Sequence, residues 1–167
     1  MRIGVVSDTH NNLSNVSRIV ELLNRARVDR VVHTGDITQA KTLEVFARLE
    51  APLHGVYGNN DLEREALERA AARHAFALCD PPLELAWAGR RLWVVHDPRD
   101  FEPGLPAASL RGEAPDLILH GHDHRFRHEV RAGSVIFNPG ECAGQMPGRN
   151  AIGVVDLARL ECETFFF

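Results

Sequence analysis

The sequence lacks the features of a membrane protein and of an exported one. Its longest uninterrupted apolar runs, such as Leu117 to Leu119, are only a few residues long, whereas a helix that spans a bilayer needs about 20. Met1 and Arg2 lead directly into a short apolar run and then into Asp8, which leaves no apolar leader and no cleavage site for a signal peptide. We therefore expect no membrane span and a cytoplasmic location.

Cysteine and clustered positive charge are also scarce. The three cysteines, Cys79, Cys142 and Cys162, are far apart and form no CxxC pair, so we expect reduced structural thiols and no zinc knuckle. The net charge is −4 and no block of lysine or arginine occurs, which argues against extended binding of nucleic acid. A small anionic substrate is compatible with this composition if local groups supply positive charge.

What the chain does contain is the pattern of one α/β domain, predicted over residues 1–167. Its 44% apolar and 25% charged residues are ordinary for a single globular unit. In the first half, short apolar runs alternate with helical patterns, and this order favours parallel strands joined by crossover helices. The predicted strands are 3–6, 30–33 and 53–57, and the predicted helices are 14–26 with Ser14 as N-cap, 42–49, and 62–73 with Asp61 as a candidate N-cap.

The second half is richer in strands. Two short apolar runs, 83–86 and 92–95, flank a turn and predict a hairpin. The segment 97–115 contains four prolines and is expected to be a long loop with at most one short helix. The whole pattern predicts two packed sheets with helices outside. Further strands are predicted at 117–119, 127–131, 135–137, 152–155 and 161–165.

Five apolar runs share one property, because each ends in carboxylate, imidazole or amide side chains. In open α/β sheets, ligands bind beyond the carboxyl ends of the strands, so these five ends should converge in space. We therefore expect a single cluster of functional groups. The five stretches are Val5–His10, Val31–Asp36, Val56–Asp61, Val94–Asp97 and Leu119–His124.

The spacing and chemistry of these groups suit metal ions. Residues i and i+2 of an extended segment point to the same side, so Asp8 can act with His10, and His122 with His124. Carboxylate, imidazole and amide ligands without cysteine favour manganese, iron, nickel, cobalt or zinc over calcium or an iron–sulfur cluster. Glycines next to candidate ligands allow the close backbone approach that a crowded site requires. They are Gly35, Gly58 and Gly121.

The number of candidate ligands predicts two ions. One four-coordinate ion uses only about four ligands, so seven candidates are best explained by two ions that share a carboxylate. Such a pair, typically ~3.5–4 Å apart, can hold a hydroxide between the ions as a nucleophile toward phosphorus. Hydrolysis of a phosphate ester is the expected reaction. The seven candidates are Asp8, His10, Asp36, Asn59, His96, His122 and His124.

This ordered set of five motifs resembles that of the calcineurin-like metallophosphoesterases, and the short chain is similar to their small prokaryotic phosphodiesterase branch. The resemblance implies a four-layer α/β/β/α sandwich of two mixed sheets with flanking helices. It also implies manganese as the first choice among the possible ions. Asp36, Asn59 and His96 are expected at the reacting phosphate. The implied ligand sets are Asp8, His10, Asp36 and His124 for one metal, and Asp36, Asn59, His96 and His122 for the other.

Two positions depart from the family pattern. Many members carry a histidine after the asparagine of the third motif, where it can protonate the leaving group, but this chain has Asn60. An amide is not a general acid near neutral pH, so we expect better turnover of diesters with stable leaving groups, such as aryl groups, than of alkyl monoesters. Many members also carry an aspartate where this chain has Gln39.

The remaining polar residues receive weaker assignments. Asn11, Asn60 and Arg99 are candidates for contact with the substrate phosphate. His33 and His120 are expected to be strand residues or partners of ligands. Asp61 is equally compatible with an N-cap and with a partner of Asn59. Asp97 and Asp123 are expected to be solvated turn residues, and His54, His74 and His128 to be surface or packing residues.

Three alternatives stay open at this stage. The same site would serve a phosphomonoesterase or a nucleotide hydrolase, and a non-catalytic scaffold of the same fold is a less favoured interpretation.

The terminal Phe165, Phe166 and Phe167 are expected in an edge strand, and their spare aromatic surface suggests a homo-oligomer as a hypothesis.

Overall fold

The computed structural model describes residues 1–145 and 148–167. Two mixed β-sheets lie face to face, which confirms the predicted architecture. The strands of the first sheet, in spatial order, are β11 (Glu161–Phe166), β10 (Ala151–Asp156), β1 (Arg2–Val6), β2 (Arg30–His33), β3 (Leu53–Val56) and β4 (Ala77–Cys79). Those of the second sheet are β5 (Leu83–Trp87), β6 (Arg90–Val94), β7 (Leu117–Leu119), β9 (Ser134–Asn138) and β8 (Arg127–Arg131).

Each sheet has a parallel centre with antiparallel strands at one or both sides. Strands β1 to β4 are parallel, and β10 and β11 join them in antiparallel orientation. In the second sheet β6, β7 and β9 are parallel, with β5 and β8 antiparallel at the edges. The parallel strands therefore direct their carboxyl ends toward a common edge of each sheet, which is where the predicted motifs begin.

Helices cover both outer faces and give the predicted four layers. The longest is α1 (Leu13–Ala26), which buries Val16, Ile19 and Leu23 as the helical spacing predicts. It begins after Asn12, whose side chain accepts a hydrogen bond from the amide of Asn15, so the predicted N-cap Ser14 is wrong by two residues. The other helices are α2 (Ala40–Phe46), α3 (Arg64–Arg73), a short 3-10 helix (Pro98–Asp100) and α4 (Leu105–Leu110).

Strand alternation separates the apolar core into layers. Val5 packs between the two sheets with Leu92 and Phe137, whereas the next residue, Val6, faces α1 and α2. A third cluster lies between the second sheet and α4 and is built on Phe101, Leu105, Val95, Ile118 and Ile136. Because apolar side chains pack on both faces of each sheet, the two sheets are held in a fixed position, and so are the ends of their strands.

Several predicted boundaries are corrected by the structure. Helix α3 begins at Arg64 with Glu63 at the N-cap position, so Asp61 does not cap it. The three-residue strand β4 is absent from the prediction, because Phe76 to Cys79 is too short to show alternation. The predicted loop 97–115 contains both the 3-10 helix and α4, since Pro98 and Pro106 occupy first-turn positions that tolerate proline.

The C-terminal strand β11 forms an edge of the first sheet, as predicted. Phe167 packs against the helix-side core, while Phe165 and Phe166 are 40% and 64% exposed. A second copy that covers these rings stays a prediction. All three cysteines are free thiols, and no helix among the described residues is long and apolar enough to cross a bilayer.

Candidate metal centre

The five predicted strand ends meet at one place between the two sheets. Asp8 and His10 follow β1, Asp36 follows β2, and Asn59 follows β3, so these come from the first sheet. Histidines that follow β6 and β7 come from the second sheet. All seven predicted ligands are therefore brought together, and they fall into two groups. The histidines of the second sheet are His96, His122 and His124.

The first group contains Asp8, His10, Asp36 and His124. The Nε2 atom of His10 lies 3.2 Å from Nε2 of His124 and 3.4 Å from Oδ2 of Asp36. Oδ1 of Asp8 lies 3.4 Å from Nε2 of His124 and 3.9 Å from Nε2 of His10. These atoms face one another as ligands around a shared point do.

The second group contains Asp36, Asn59, His96 and His122. Oδ1 of Asn59 lies 2.9 Å from Nε2 of His96 and 2.9 Å from Nδ1 of His122. The two ring nitrogens are 3.3 Å apart, and Oδ1 of Asp36 is 3.5 Å from Nε2 of His96. Asp36 thus presents one carboxylate oxygen to each group.

The donor set fits divalent cations. Asp8, His10 and His124 offer ligand atoms that all lie within 4.8 Å of one another, and so do Asp8, Asp36 and His96. Oδ1 of Asp8 is buried and has no hydrogen-bond partner among residues 1–145 and 148–167. A buried carboxylate oxygen without a donor is costly, and a cation among these ligands would satisfy it.

Three histidines have their second ring nitrogen fixed from behind. Nδ1 of His96 donates to the carbonyl oxygen of Thr34 at 2.9 Å, and Nδ1 of His124 lies 3.1 Å from Oε2 of Glu141. Nε2 of His122 lies 3.4 Å from Oδ2 of Asp97. Such contacts set the tautomer and ring orientation, and they leave the opposite nitrogen free to bind a metal.

The charges of the site favour cations. Burial alone would raise the pKa of Asp36, but hydrogen bonds from His96 and Asn60 outweigh it and hold that pKa well below its usual range. The pKa of Asp8 is also lowered, since contacts with His124 and Ser7 exceed the effect of burial. The contact with Asp8 raises the pKa of His124 to about 9. Both carboxylates are therefore anionic at neutral pH.

The loops that carry the ligands are tied together by the buried carboxylate of Asp61. Its oxygens accept hydrogen bonds from the amides of Asp36 at 3.0 Å, Thr38 at 2.6 Å and Gly58 at 2.7 Å. Asp61 is therefore neither the N-cap of α3 nor a direct partner of Asn59. It joins the loop after β2 to the loop after β3.

Close packing of these loops requires glycine. A side chain at Gly121 would collide with Oγ of Ser7, and one at Gly58 would collide with Oδ1 of Asp36. The hydroxyl of Ser7 donates to Oδ2 of Asp8, which also accepts from the amide of His122 at 3.1 Å. The predicted role of glycine at these two positions agrees with the contacts.

Five of the seven predicted ligands have a left-handed backbone. Non-glycine residues rarely adopt positive φ, and each such residue stores strain that the surrounding structure must offset. Asn59 and His96 are the two exceptions. The φ angles are 50° at Asp8, 40° at His10, 58° at Asp36, 74° at His122 and 55° at His124.

The three residues that are predicted to contact the substrate phosphate have different surroundings in the structure. The amide of Asn60 donates from Nδ2 to Oδ2 of Asp36 at 2.7 Å, so in this structure it orients the shared carboxylate. Oδ1 of Asn11 accepts from the hydroxyl of Thr42 at 3.3 Å. Arg99 is 79% exposed and pairs with Asp97, the residue that contacts His122.

Some residues that shape the site were missed by the sequence analysis. Ser7 and Glu141 are absent from the predicted site, and the prediction of Asp97 as a solvated turn residue is wrong, since its side chain is only 17% exposed. Glu141 follows Asn138, the polar end of the parallel strand β9, so the strand-end pattern would have found it. His33 and His120 are both buried, His33 as the last residue of β2 and His120 directly after β7, and Asp123 is exposed.

Comparison with known proteins places this geometry in a family. The chain matches the calcineurin-like phosphoesterase superfamily domain over residues 1–160. It belongs to that superfamily. These phosphoesterases are metal-dependent hydrolases of phosphoric esters, and the residues gathered here are candidates for binding divalent ions.

Relatives of this phosphoesterase resemble it along nearly the whole chain. It is 28% identical over 162 residues to phosphodiesterase MJ0936 of Methanocaldococcus jannaschii, with 96% of each chain covered. A solved structure described as a novel archaeal phosphodiesterase superposes with a TM-score of 0.87 at 27% identity, covering 100% of both chains. The phosphoesterase YfcE from E. coli shares the fold, with a TM-score of 0.71 at 21% identity and 99% and 98% coverage.

Proposed function

We propose that this chain is a two-metal phosphodiesterase with a small substrate. One divalent ion would be held by Asp8, His10, Asp36 and His124, and the other by Asp36, Asn59, His96 and His122. The observation that carries the proposal is the position of Asp36, whose two oxygens face separate groups of ligands at 3.4 and 3.5 Å. When bound, two such ions supply an activated water and offset charge on the phosphoryl oxygens.

The residues of the chain prepare the site for that chemistry. The carbonyl of Thr34 fixes the ring of His96, and Asn60 holds the carboxylate of Asp36 through both its backbone and its side-chain amide, at 2.9 and 2.7 Å. Buried Asp8 is anchored by Ser7 and by the amide of His122. A site fixed before the substrate arrives needs little reorganisation during the reaction. We expect manganese to support activity best.

The first prediction concerns the shared carboxylate. Asp36→Asn removes one charge from both groups and should reduce manganese-dependent hydrolysis of an aryl diester by at least about 100-fold, because removal of a ligand disrupts both ions. Elemental analysis should show less than two ions per chain. Asp29→Asn is the matched control, since Asp29 precedes β2 and lies at the opposite end of the sheet. Full activity of Asp36→Asn would overturn the proposal.

The second prediction concerns the leaving group. The residue after Asn59 is Asn60, an amide whose Nδ2 is committed to Asp36, so it does not supply a proton. Leaving groups that are stable as anions should therefore react faster. We expect p-nitrophenyl diesters to exceed alkyl monoesters in kcat/KM. Faster cleavage of alkyl monoesters by the manganese-loaded protein would contradict this expectation.

A further inference from the structure

A pocket that borders the candidate metal centre has no role in the proposed chemistry. Its volume is about 550 Å³, within the usual range of small-molecule sites. The ring of His124 forms part of its wall, so a substrate held at the first group of ligands would have one side facing this pocket. Gly140 forms another part, and among the described residues the atoms nearest to a Cβ placed there would be 3.8 to 4.0 Å away.

Two exposed phenyl rings line the pocket. Phe126 packs edge-on against Phe137 with ring centroids 6.4 Å apart, which fixes the ring while leaving it 55% exposed. Phe166 lies on β11 and is 64% exposed. Exposed aromatic rings offer flat apolar surfaces on which planar ligands stack.

Two arginines line the same pocket. Neither the guanidinium of Arg125 nor that of Arg149 forms an ion pair within the part of the chain that the structure describes, and both residues are exposed. Guanidinium groups bind phosphate oxygens through paired hydrogen bonds. In a chain with a net charge of −4, this pocket provides local positive charge beside a cluster of carboxylates.

We propose that this pocket binds the nucleotide arm of a phosphodiester substrate. The base stacks on Phe126 and Phe166, and a further phosphate on the sugar pairs with Arg125 and Arg149. The inference rests on the proposed diesterase function and narrows it, because it names which of the two ester arms the protein recognises. Planar aromatic surface and guanidinium groups that form no ion pair with the described residues together match the two chemical parts of a nucleotide.

Three substrates with the same leaving group test each part separately. Methyl p-nitrophenyl phosphate has no arm for the pocket, thymidine 5′-(p-nitrophenyl phosphate) adds a base, and its 3′-phosphorylated form adds a phosphate. All three release p-nitrophenolate, so their chemical steps are alike. We expect kcat/KM with manganese to rise about tenfold with the base, as stacking predicts, and again by several-fold with the 3′-phosphate.

Substitutions then assign each rise to its residues. Phe126→Ala should remove most of the increase in kcat/KM that the base produces, and Arg149→Ala most of the increase that the 3′-phosphate produces. Phe166→Ala repeats the first test if Phe126→Ala fails to fold. The matched controls are Phe165→Ala and Arg25→Ala, since both residues line a separate apolar cavity. Both control variants should retain both increases in kcat/KM. Ratios between substrates are compared, so any change common to all three cancels.

The outcomes separate this inference from the proposed function. Hydrolysis of all three esters at equal rates would overturn the inference while the diesterase function stands. If no ester is hydrolysed, the proposed function fails, and binding of thymidine 3′,5′-bisphosphate measured by calorimetry decides the inference. Binding that weakens several-fold in Phe126→Ala and in Arg149→Ala supports it, and binding that is absent or unchanged by these substitutions overturns it.

Discussion

The side chains behind the ligands decide which ring nitrogen each histidine presents. His96 is oriented by a carbonyl, and His122 and His124 are oriented by the carboxylates of Asp97 and Glu141. The ligands themselves could be predicted, because their residue types recur at strand ends. Glu141 also lies beyond a strand end, but its position behind His124 could not be predicted, since a carboxylate behind a histidine has no fixed spacing in the sequence. Only the folded contacts show it.

A buried histidine next to the site should make stability depend on pH. His33 is fully buried, and its Nδ1 accepts from the amide of Gly35 at 3.1 Å. Burial lowers the pKa of His33 to about 4, so the folded protein prefers the neutral ring. Below the unfolded pKa of about 6.5 the unfolded chain binds a proton that the folded chain does not. This contribution to stability is complete above pH 6.5 and is lost between pH 6.5 and 4.

Urea unfolding of the metal-free protein between pH 4 and 7 measures this dependence. The loss amounts to about 3 kcal/mol at most, from roughly 1.4 kcal/mol per pKa unit. His33→Asn keeps an acceptor near the position of Nδ1 but does not titrate, so its stability should change less over the same range. Equal slopes for the two proteins would show that His33 does not contribute.

At the scale of elements, the site depends on connections between loops. The helices and strands followed from apolar periodicity, and most boundaries were predicted within a few residues. The sequence is equally compatible with Asp61 as an N-cap and as a partner of Asn59, whereas in the structure its carboxylate accepts hydrogen bonds from three backbone amides in two loops. A carboxylate before a helix looks the same in sequence in both roles, so local pattern could not separate them.

Asp61→Asn should therefore destabilise both the loop after β2 and the loop after β3. An amide nitrogen would face a backbone N–H in place of an acceptor, and loss of a hydrogen bond to a buried charge costs roughly 1.5–3 kcal/mol. We expect a fall of that size in the free energy of unfolding and weaker metal binding. Asp80→Asn is the control, since its pair with Arg64 is exposed and should contribute under about 1 kcal/mol. Equal effects in both variants would contradict the argument.

At the scale of the whole molecule, the candidate centre joins the two sheets. Asp8, His10, Asp36 and Asn59 come from one sheet, and the three other histidines come from the second. Between the sheets, apart from this place, the contacts are mainly apolar. A metal bound here would stabilise the pairing of the sheets as well as the loops. The four-layer arrangement was predicted through the family resemblance, whereas the grouping of ligands by sheet needed the strand order.

Manganese should accordingly raise the thermal midpoint of the entire chain. At 100 times the dissociation constant, a ligand contributes about 2.7 kcal/mol, which corresponds to roughly 5–10 °C for a protein of this size. Both tryptophans, Trp87 and Trp93, lie in the second sheet, so their fluorescence follows that sheet while circular dichroism follows both. The two signals should shift together, and Asp36→Asn should abolish the shift. A shift confined to one signal would reject the bridging role.

The left-handed backbone at Asp8, His10, Asp36, His122 and His124 has a consequence for how such a chain changes over generations. Each of these conformations costs of the order of 1 kcal/mol for a residue with a side chain. A descendant that no longer needed its chemistry would gain stability by replacing these residues with glycine. Neutral drift under selection for folding alone would therefore erase the centre early and leave the layered framework intact.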